Sequence, residues 1–189
     1  MTLGKKEETF LLRLAPDLVR ELPVVTHTGT TRRVASFVML GDVEINEKCA
    51  QLLVSRFQAE GLLERFDMLV ALEAKGIALV HVTARILGHP FFVVIRKTVK
   101  RYMVNPLMVP VTSITSVGEQ TLVLDGLDAE RIKGRRVCLI EDVIATGGSV
   151  AAACDLIRYA GAEVTVIATV LLKGDFDDPR LVYLQKPAM

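Results

Sequence analysis

From Cys138 to Ser149 the chain reads Cys-Leu-Ile-Glu-Asp-Val-Ile-Ala-Thr-Gly-Gly-Ser. An apolar run ends in two adjacent carboxylates, Glu141 and Asp142. A turn of small and hydroxyl residues, Ala145, Thr146, Gly147, Gly148 and Ser149, follows, and the pattern then turns helical. Each part has a chemical use. In an open α/β sheet, ligands gather at the carboxyl ends of the strands. A helix start offers unpaired N–H groups and the positive end of a dipole, which suits a phosphate. Gly147 and Gly148 allow close backbone approach, and Thr146 and Ser149 add hydroxyl donors. Glu141 and Asp142, expected at the strand end, suit the vicinal hydroxyls of a sugar. No Gly-Lys-Ser/Thr follows the glycines, so this is not a P-loop.

Two further segments could serve the same ligand. Leu72-Glu73-Ala74-Lys75-Gly76 follows another apolar run and opens another helix; alone, it reads equally well as the charged first turn of a surface helix. Val94-Ile95-Arg96-Lys97 continues into Lys100, Arg101 and Tyr102, placing four cations within six residues. Such a cluster suits a pyrophosphate with its metal ion. The competing readings are a solvated basic loop or a nucleic-acid site. The chain carries 23 Lys+Arg against 22 Asp+Glu, a net charge of +1, and no aromatic interleaving, so neither nucleic acid nor an anionic membrane is an expected partner.

Taken together, these segments resemble the type I phosphoribosyltransferases, most closely the adenine (purine) group, over roughly residues 22–174. The resemblance implies an enzyme of base salvage. It would transfer the 5-phosphoribosyl group of phosphoribosyl pyrophosphate (PRPP) to a purine base, adenine favoured, giving a nucleoside monophosphate and pyrophosphate. It assigns Glu141 and Asp142 to the ribose at the reaction centre, and Ala145, Thr146, Gly147, Gly148 and Ser149 to the 5-phosphate. Glu73, Ala74, Lys75, Gly76, Arg96, Lys97 and Lys100 are assigned to pyrophosphate. Lys75 stands where Arg is usual, which keeps the charge and loses the bidentate fork. Phe176 is the candidate for stacking on the base. Mg2+ is implied mainly through PRPP oxygens, so no direct metal ligand is assigned. A cytoplasmic homodimer is expected by analogy.

The chain also departs from the family pattern. Ser116-Val117-Gly118 stands where adenine enzymes carry Glu-Tyr-Gly, and Ala145 stands where hypoxanthine–guanine enzymes place Asp. The alternatives are therefore a hypoxanthine, xanthine or guanine enzyme, or a non-catalytic PRPP-sensing regulatory protein.

The elements that must position these residues follow from patterning. Apolar runs at 67–72, 91–95, 137–140 and 164–170 lack the alternation of a half-solvated sheet, and predict parallel strands covered on both faces. Between them, Ile45/Cys49/Leu52/Leu53/Phe57, Ile77/Val80/Ala84/Leu87 and Val150/Cys154/Ile157 recur at helical spacing, with Asp42 a plausible cap and Gly161 a stop. The expected fold is α/β: one domain over 1–189, a central parallel sheet flanked by helices, a small N-terminal hood over 1–41 and a mobile loop over 98–121. Length and a 51% hydrophobic composition suffice for a buried core. The three cysteines, odd in number and without a CxxC pair, predict no disulfide framework and fit a reducing compartment. No run is long enough for a membrane span. His27, His81 and His89 are expected as ordinary histidines, Asp175, Asp177 and Asp178 as a solvated turn, and Leu181–Leu184 as a final strand or an interface.

Overall fold

A computed structural model describes residues 8–26, 31, 33–111 and 120–187. The elements, in order, are β1 (Thr9–Ala15), β2 (Leu18–Thr26), β3 (Arg33–Ala35), α1 (Val43–Ala59), a 3-10 turn (Leu63–Arg65), β4 (Met68–Leu72), α2 (Gly76–Leu87) and β5 (Val93–Ile95). Then come β6 (Leu107–Val111), β7 (Gln120–Leu124), α3 (Gly126–Ile132), β8 (Arg136–Ile144), α4 (Gly148–Tyr159), β9 (Glu163–Leu172) and β10 (Leu181–Gln185). The central sheet has the order β10-β9-β8-β4-β5, with every pairing parallel.

The parallel sheet follows from double-sided burial. All five residues of β4 are buried. Leu69 and Ala71 point into a cluster with α1, α2 and the hood, while Met68, Val70 and Leu72 point into one with α3 and α4. β8 divides in the same way, with Cys138 and Ile140 on one side and Val137 and Leu139 on the other. The two-residue period of a strand thus feeds two cores at once. Helix α1 starts where expected, because the Asp42 side chain accepts from the Ile45 N–H at 3.0 Å. Arg20 holds that same carboxylate at 2.8 Å and ties the cap to β2.

Strand β8 does not stop at the carboxylates. It runs through Glu141 and Asp142 to Ile144, because β9 continues alongside and pairs Glu141 with Thr169, Val143 with Leu171 and Ile144 with Leu172. The acidic pair is therefore embedded near the end of a central strand. The hood is a three-stranded antiparallel sheet, β1-β2-β3, whose Leu12, Leu14, Leu18 and Leu22 join the cluster under α1. Of the expected loop over 98–121, Leu107–Val111 and Gln120–Leu124 form an antiparallel hairpin packed against α4. Its tip at 112–119, with Ser116–Gly118, lies outside the described residues, as does His27. Helix α3, capped by Asp125, has seven residues, too few for a periodic signal. Leu181–Gln185 adds to the sheet beside β9.

Cys49 and Cys138 are buried and Cys154 is half-buried, all as free thiols. Asp178 is not a solvated turn residue: Arg180 grips its carboxylate at 2.7 and 2.9 Å, and its side chain is only 16% exposed. No helix among the described residues is long and apolar enough to cross a membrane.

Because Leu69 is wholly buried at the sheet centre, Leu69→Ala is expected to cost about 2–5 kcal/mol of stability. Urea unfolding should show a lower midpoint at an unchanged slope.

Candidate active site

At the carboxyl end of the sheet, the turns after three strands, two of them leading into helices, meet around a cavity of about 240 Å³. Its walls are Glu73, Ala74 and Lys75 after β4, Lys97 after β5, and the continuous run from Glu141 to Val150. Most of the residues expected to act together are thus together. Gly76, Arg96, Lys100 and Phe176 are not in that lining.

The turn after β8 is shaped by Gly147, which sits in the left-handed region at φ 78° and caps α4 without a side chain. The first N–H groups of α4 therefore have no intrahelical or side-chain capping partner, the arrangement that suits an anion. A Cβ on Gly147 would lie 2.1 Å from the Phe176 ring, so any larger residue there must displace it. The Phe176 ring thus packs against the back of the phosphate turn, on a different groove from the acidic pair. Phe176 is not in the lining of the cavity itself. Gly76 lets the start of α2 come within contact of Ile140 and Glu141.

Two expected pyrophosphate contacts are turned toward the protein. Arg96 donates through Nη2 to Glu73 Oε1 at 2.9 Å and through Nη1 to the Tyr102 hydroxyl at 2.9 Å. Its Nε is buried without a partner. The other Glu73 oxygen accepts from the Lys97 N–H at 2.9 Å, and this bond, with Arg96 nearby, holds the Glu73 carboxyl below its usual range. Glu73 is thus a latch between the ends of β4 and β5. It leaves the ammonium groups of Lys75 and Lys97 as the cations of the cavity wall. The Lys100 side chain lies outside that wall, and its N–H donates to Met103 Sδ at 3.3 Å.

The electrostatic centre is Asp142, only 2% exposed, with the Lys75 ammonium 2.9 Å from Oδ2. Glu141 has no cation of its own. Burial, reinforced by the adjacent Asp142 carboxyl, pushes its carboxyl up to about 9. The pair therefore divides its work between one carboxylate with a counter-ion and one carboxyl able to donate. Lys173, at the end of β9, was not among the expected site residues. Its ammonium donates to the Ala35 carbonyl of the hood at 2.7 Å, and burial, then the nearby Lys75 charge, lowers its proton affinity. The available signal was a lone Lys directly after the buried run 164–172. Among the described residues, no three His, Cys, Asp or Glu side chains converge on a metal position. The carboxyls and hydroxyls of the cavity fit an ion that arrives with a phosphate ligand.

A model of the phosphoribosyl transferase domain matches residues 42–181, which carry all three turns. The chain belongs to the phosphoribosyltransferase family. It is 38% identical over 171 residues to HGPRTase-like protein 3 of Haloterrigena turkmenica, spanning 88% of this chain and 84% of that one. It is 34% identical over 142 residues to the hypoxanthine/guanine phosphoribosyltransferase of Methanothermobacter thermautotrophicus, spanning 75% and 67%. Among solved structures, adenine phosphoribosyltransferase from Thermoanaerobacter pseudethanolicus superposes with a TM-score of 0.66 over 86% of this chain and 94% of that one. At 20% identity, that likeness speaks to the fold. A phosphoribosyltransferase sheet thus underlies the cavity.

The site makes two predictions. Above the ordinary carboxyl range, unfolded Glu141 gives up its proton while the folded residue keeps it, so this residue's contribution falls as pH rises toward about 9. The melting temperature of Glu141→Gln should therefore gain on wild type between pH 5 and pH 8; a constant difference would contradict the buried, protonated state. Gly147→Ala is expected to weaken binding of ribose 5-phosphate by roughly tenfold or more, about 1.4 kcal/mol, in calorimetric titration.

Proposed function

We propose that this chain transfers the 5-phosphoribosyl group of PRPP to a purine base. The observation that carries this reading is the single cavity joining Lys75 and Lys97, the Glu141–Asp142 pair and the uncapped start of α4. The order of these groups along the cavity wall supports three subsites. Ala145–Ser149 would take the 5-phosphate, Glu141 and Asp142 the ribose hydroxyls, and Ala74–Gly76 with Lys97 the pyrophosphate.

In the reaction, the C1–O bond to pyrophosphate breaks and its electron pair stays on the leaving oxygen. A ring nitrogen of the base bonds to C1, and the proton that nitrogen carried passes to solvent. The sugar is cationic between these events, so the protein must neutralise the leaving group and hold the ring still. Fixed cations in a water-poor cleft act most strongly where charge develops. Positioning by two carboxyls and a phosphate cradle can supply several kcal/mol more. Magnesium, carried on PRPP oxygens, would supply further neutralisation of the pyrophosphate, and Glu141 and Asp142 are the carboxyls that would help to hold it. Action in purine salvage, as a cytoplasmic homodimer, belongs to the same proposal.

The resemblance of the motifs favours adenine as the base. A second reading, a 6-oxopurine, is favoured by Lys173. Its ammonium is a donor without acceptor capacity, beside Lys75 and Asp142. It would match a purine carbonyl and oppose an amino group. The names of the two sequence relatives point the same way.

The test is pyrophosphate release with PRPP, magnesium and each base in turn. Release with adenine alone would support the first reading, and release with hypoxanthine or guanine the second. PRPP binding without release would move the assignment to a PRPP-sensing regulator, and neither binding nor release would overturn the proposal. The double change Glu141→Ala, Asp142→Ala is expected to lower PRPP affinity at least 100-fold, about 2.7 kcal/mol, at a temperature where melting curves show the variant folded. Normal PRPP binding by that variant would remove the ribose assignment.

A further inference from the structure

Asp142 is almost sealed from water, and Lys75 is what covers it. The Lys75 ammonium lies 2.9 Å from Oδ2, which has no other polar partner among the described residues. Lys75 is 42% exposed and reaches out from the turn after β4 on a long side chain, whereas Asp142 is fixed in β8 by the pairings of Glu141 and Val143 with β9. Of the two, only the lysine has room to leave. With Asp142 only 2% exposed and the ammonium against Oδ2, a sugar hydroxyl assigned to that carboxylate in the proposed reaction has to enter where the ammonium lies.

A second cation bears on the exchange. Lys173 is close enough for Lys75 and Asp142 to act on its ammonium in opposite senses, and it is itself tied to the Ala35 carbonyl. A second positive charge therefore stands near the Lys75–Asp142 pair without being paired to that carboxylate. Once displaced, Lys75 needs an anion. Lys97 and the open cavity lie on the side where a pyrophosphate would sit.

We infer that Lys75 is a specificity-determining residue that caps Asp142 in the empty site and is drawn off by the pyrophosphate group of the incoming ligand. The inference rests on the PRPP reading above and adds a discrimination to it. A ligand with ribose and pyrophosphate supplies both exchanges: hydroxyls for Asp142 and an anion for Lys75. Ribose 5-phosphate supplies only the first, and has to displace the ammonium without rehousing it. The site thereby prefers the activated sugar over the unactivated one, beyond the contacts the pyrophosphate makes directly.

The exchange predicts effects of opposite sign, which simple attraction by a cation does not. Calorimetric titration of wild type, Lys75→Ala and Asp142→Asn with inorganic pyrophosphate and with ribose 5-phosphate, each with magnesium, tests it. Lys75→Ala should bind pyrophosphate about tenfold more weakly and ribose 5-phosphate about threefold more tightly. Asp142→Asn should do the reverse: pyrophosphate tighter because Lys75 is released, ribose 5-phosphate weaker because an acceptor is lost. Lys75→Met, which keeps the stem, repeats the first variant, and melting curves confirm that each variant is folded. If Lys75→Ala weakens both probes, or leaves ribose 5-phosphate unchanged, the exchange is overturned while the PRPP reading stands. If wild type binds PRPP and neither probe responds to Asp142→Asn, the exchange is likewise overturned. If wild type binds none of PRPP, pyrophosphate and ribose 5-phosphate, both readings fall.

Discussion

A carboxylate buried near the end of a central strand has to be compensated, and much of this molecule follows from how Asp142 meets that requirement. Its strand is paired with β9 on both sides of that position in sequence, through Glu141 and Val143, while the pairing with β4 ends at Ile140. Its counter-charge, Lys75, comes from the turn after β4. That turn is in turn latched to the end of β5 by Glu73, through Arg96 and the Lys97 N–H. One buried charge thus binds three neighbouring strand ends into a single rim. A buried pair of this kind is poor evidence for stability, because desolvation offsets its attraction. Its presence here is better understood through the ligand chemistry of the rim.

The same rim divides two chemically similar carboxyls. Asp142 has a cation within hydrogen-bond distance, while Glu141 has burial and a neighbouring acid. They differ by one position in sequence, which in a strand means opposite faces and different surroundings. The result is an acceptor beside a group that retains its proton. The phosphate turn adds a third kind of group, backbone N–H donors left open by a glycine cap. Phe176 buttresses that turn from behind, so the cradle is held by packing as well as by covalent geometry.

The hood is joined to this frame by apolar packing and by one polar tie. Leu12, Leu14, Leu18 and Leu22 share the core beneath α1, and Lys173 reaches the carbonyl of Ala35 across 138 residues of sequence. That tie brings a second ammonium near Lys75 and Asp142.

Much of this was legible in the residues themselves. The unbroken apolar runs of β4, β8 and β9 and the helical spacing of α1, α2 and α4 carry the parallel sheet, because double-sided burial and a 3.6-residue period leave local signatures. The acid pair and glycine turn were legible for a related reason: their chemistry depends on residues adjacent in the chain. What the sequence could not disclose depends on which distant groups meet. That Arg96 spends its fork on Glu73 and Tyr102, that Phe176 packs against the phosphate turn, and that β8 runs on past its acids were all decided by neighbouring strands. Helix α3 was too short to show a period, and Lys173 is a single charge whose meaning comes only from Lys75 and Asp142 beside it. Local pattern determined the elements and the motif; only the tertiary fold, by bringing charges from separate strands into one water-poor rim, decided which of them are spent on each other and which face a ligand.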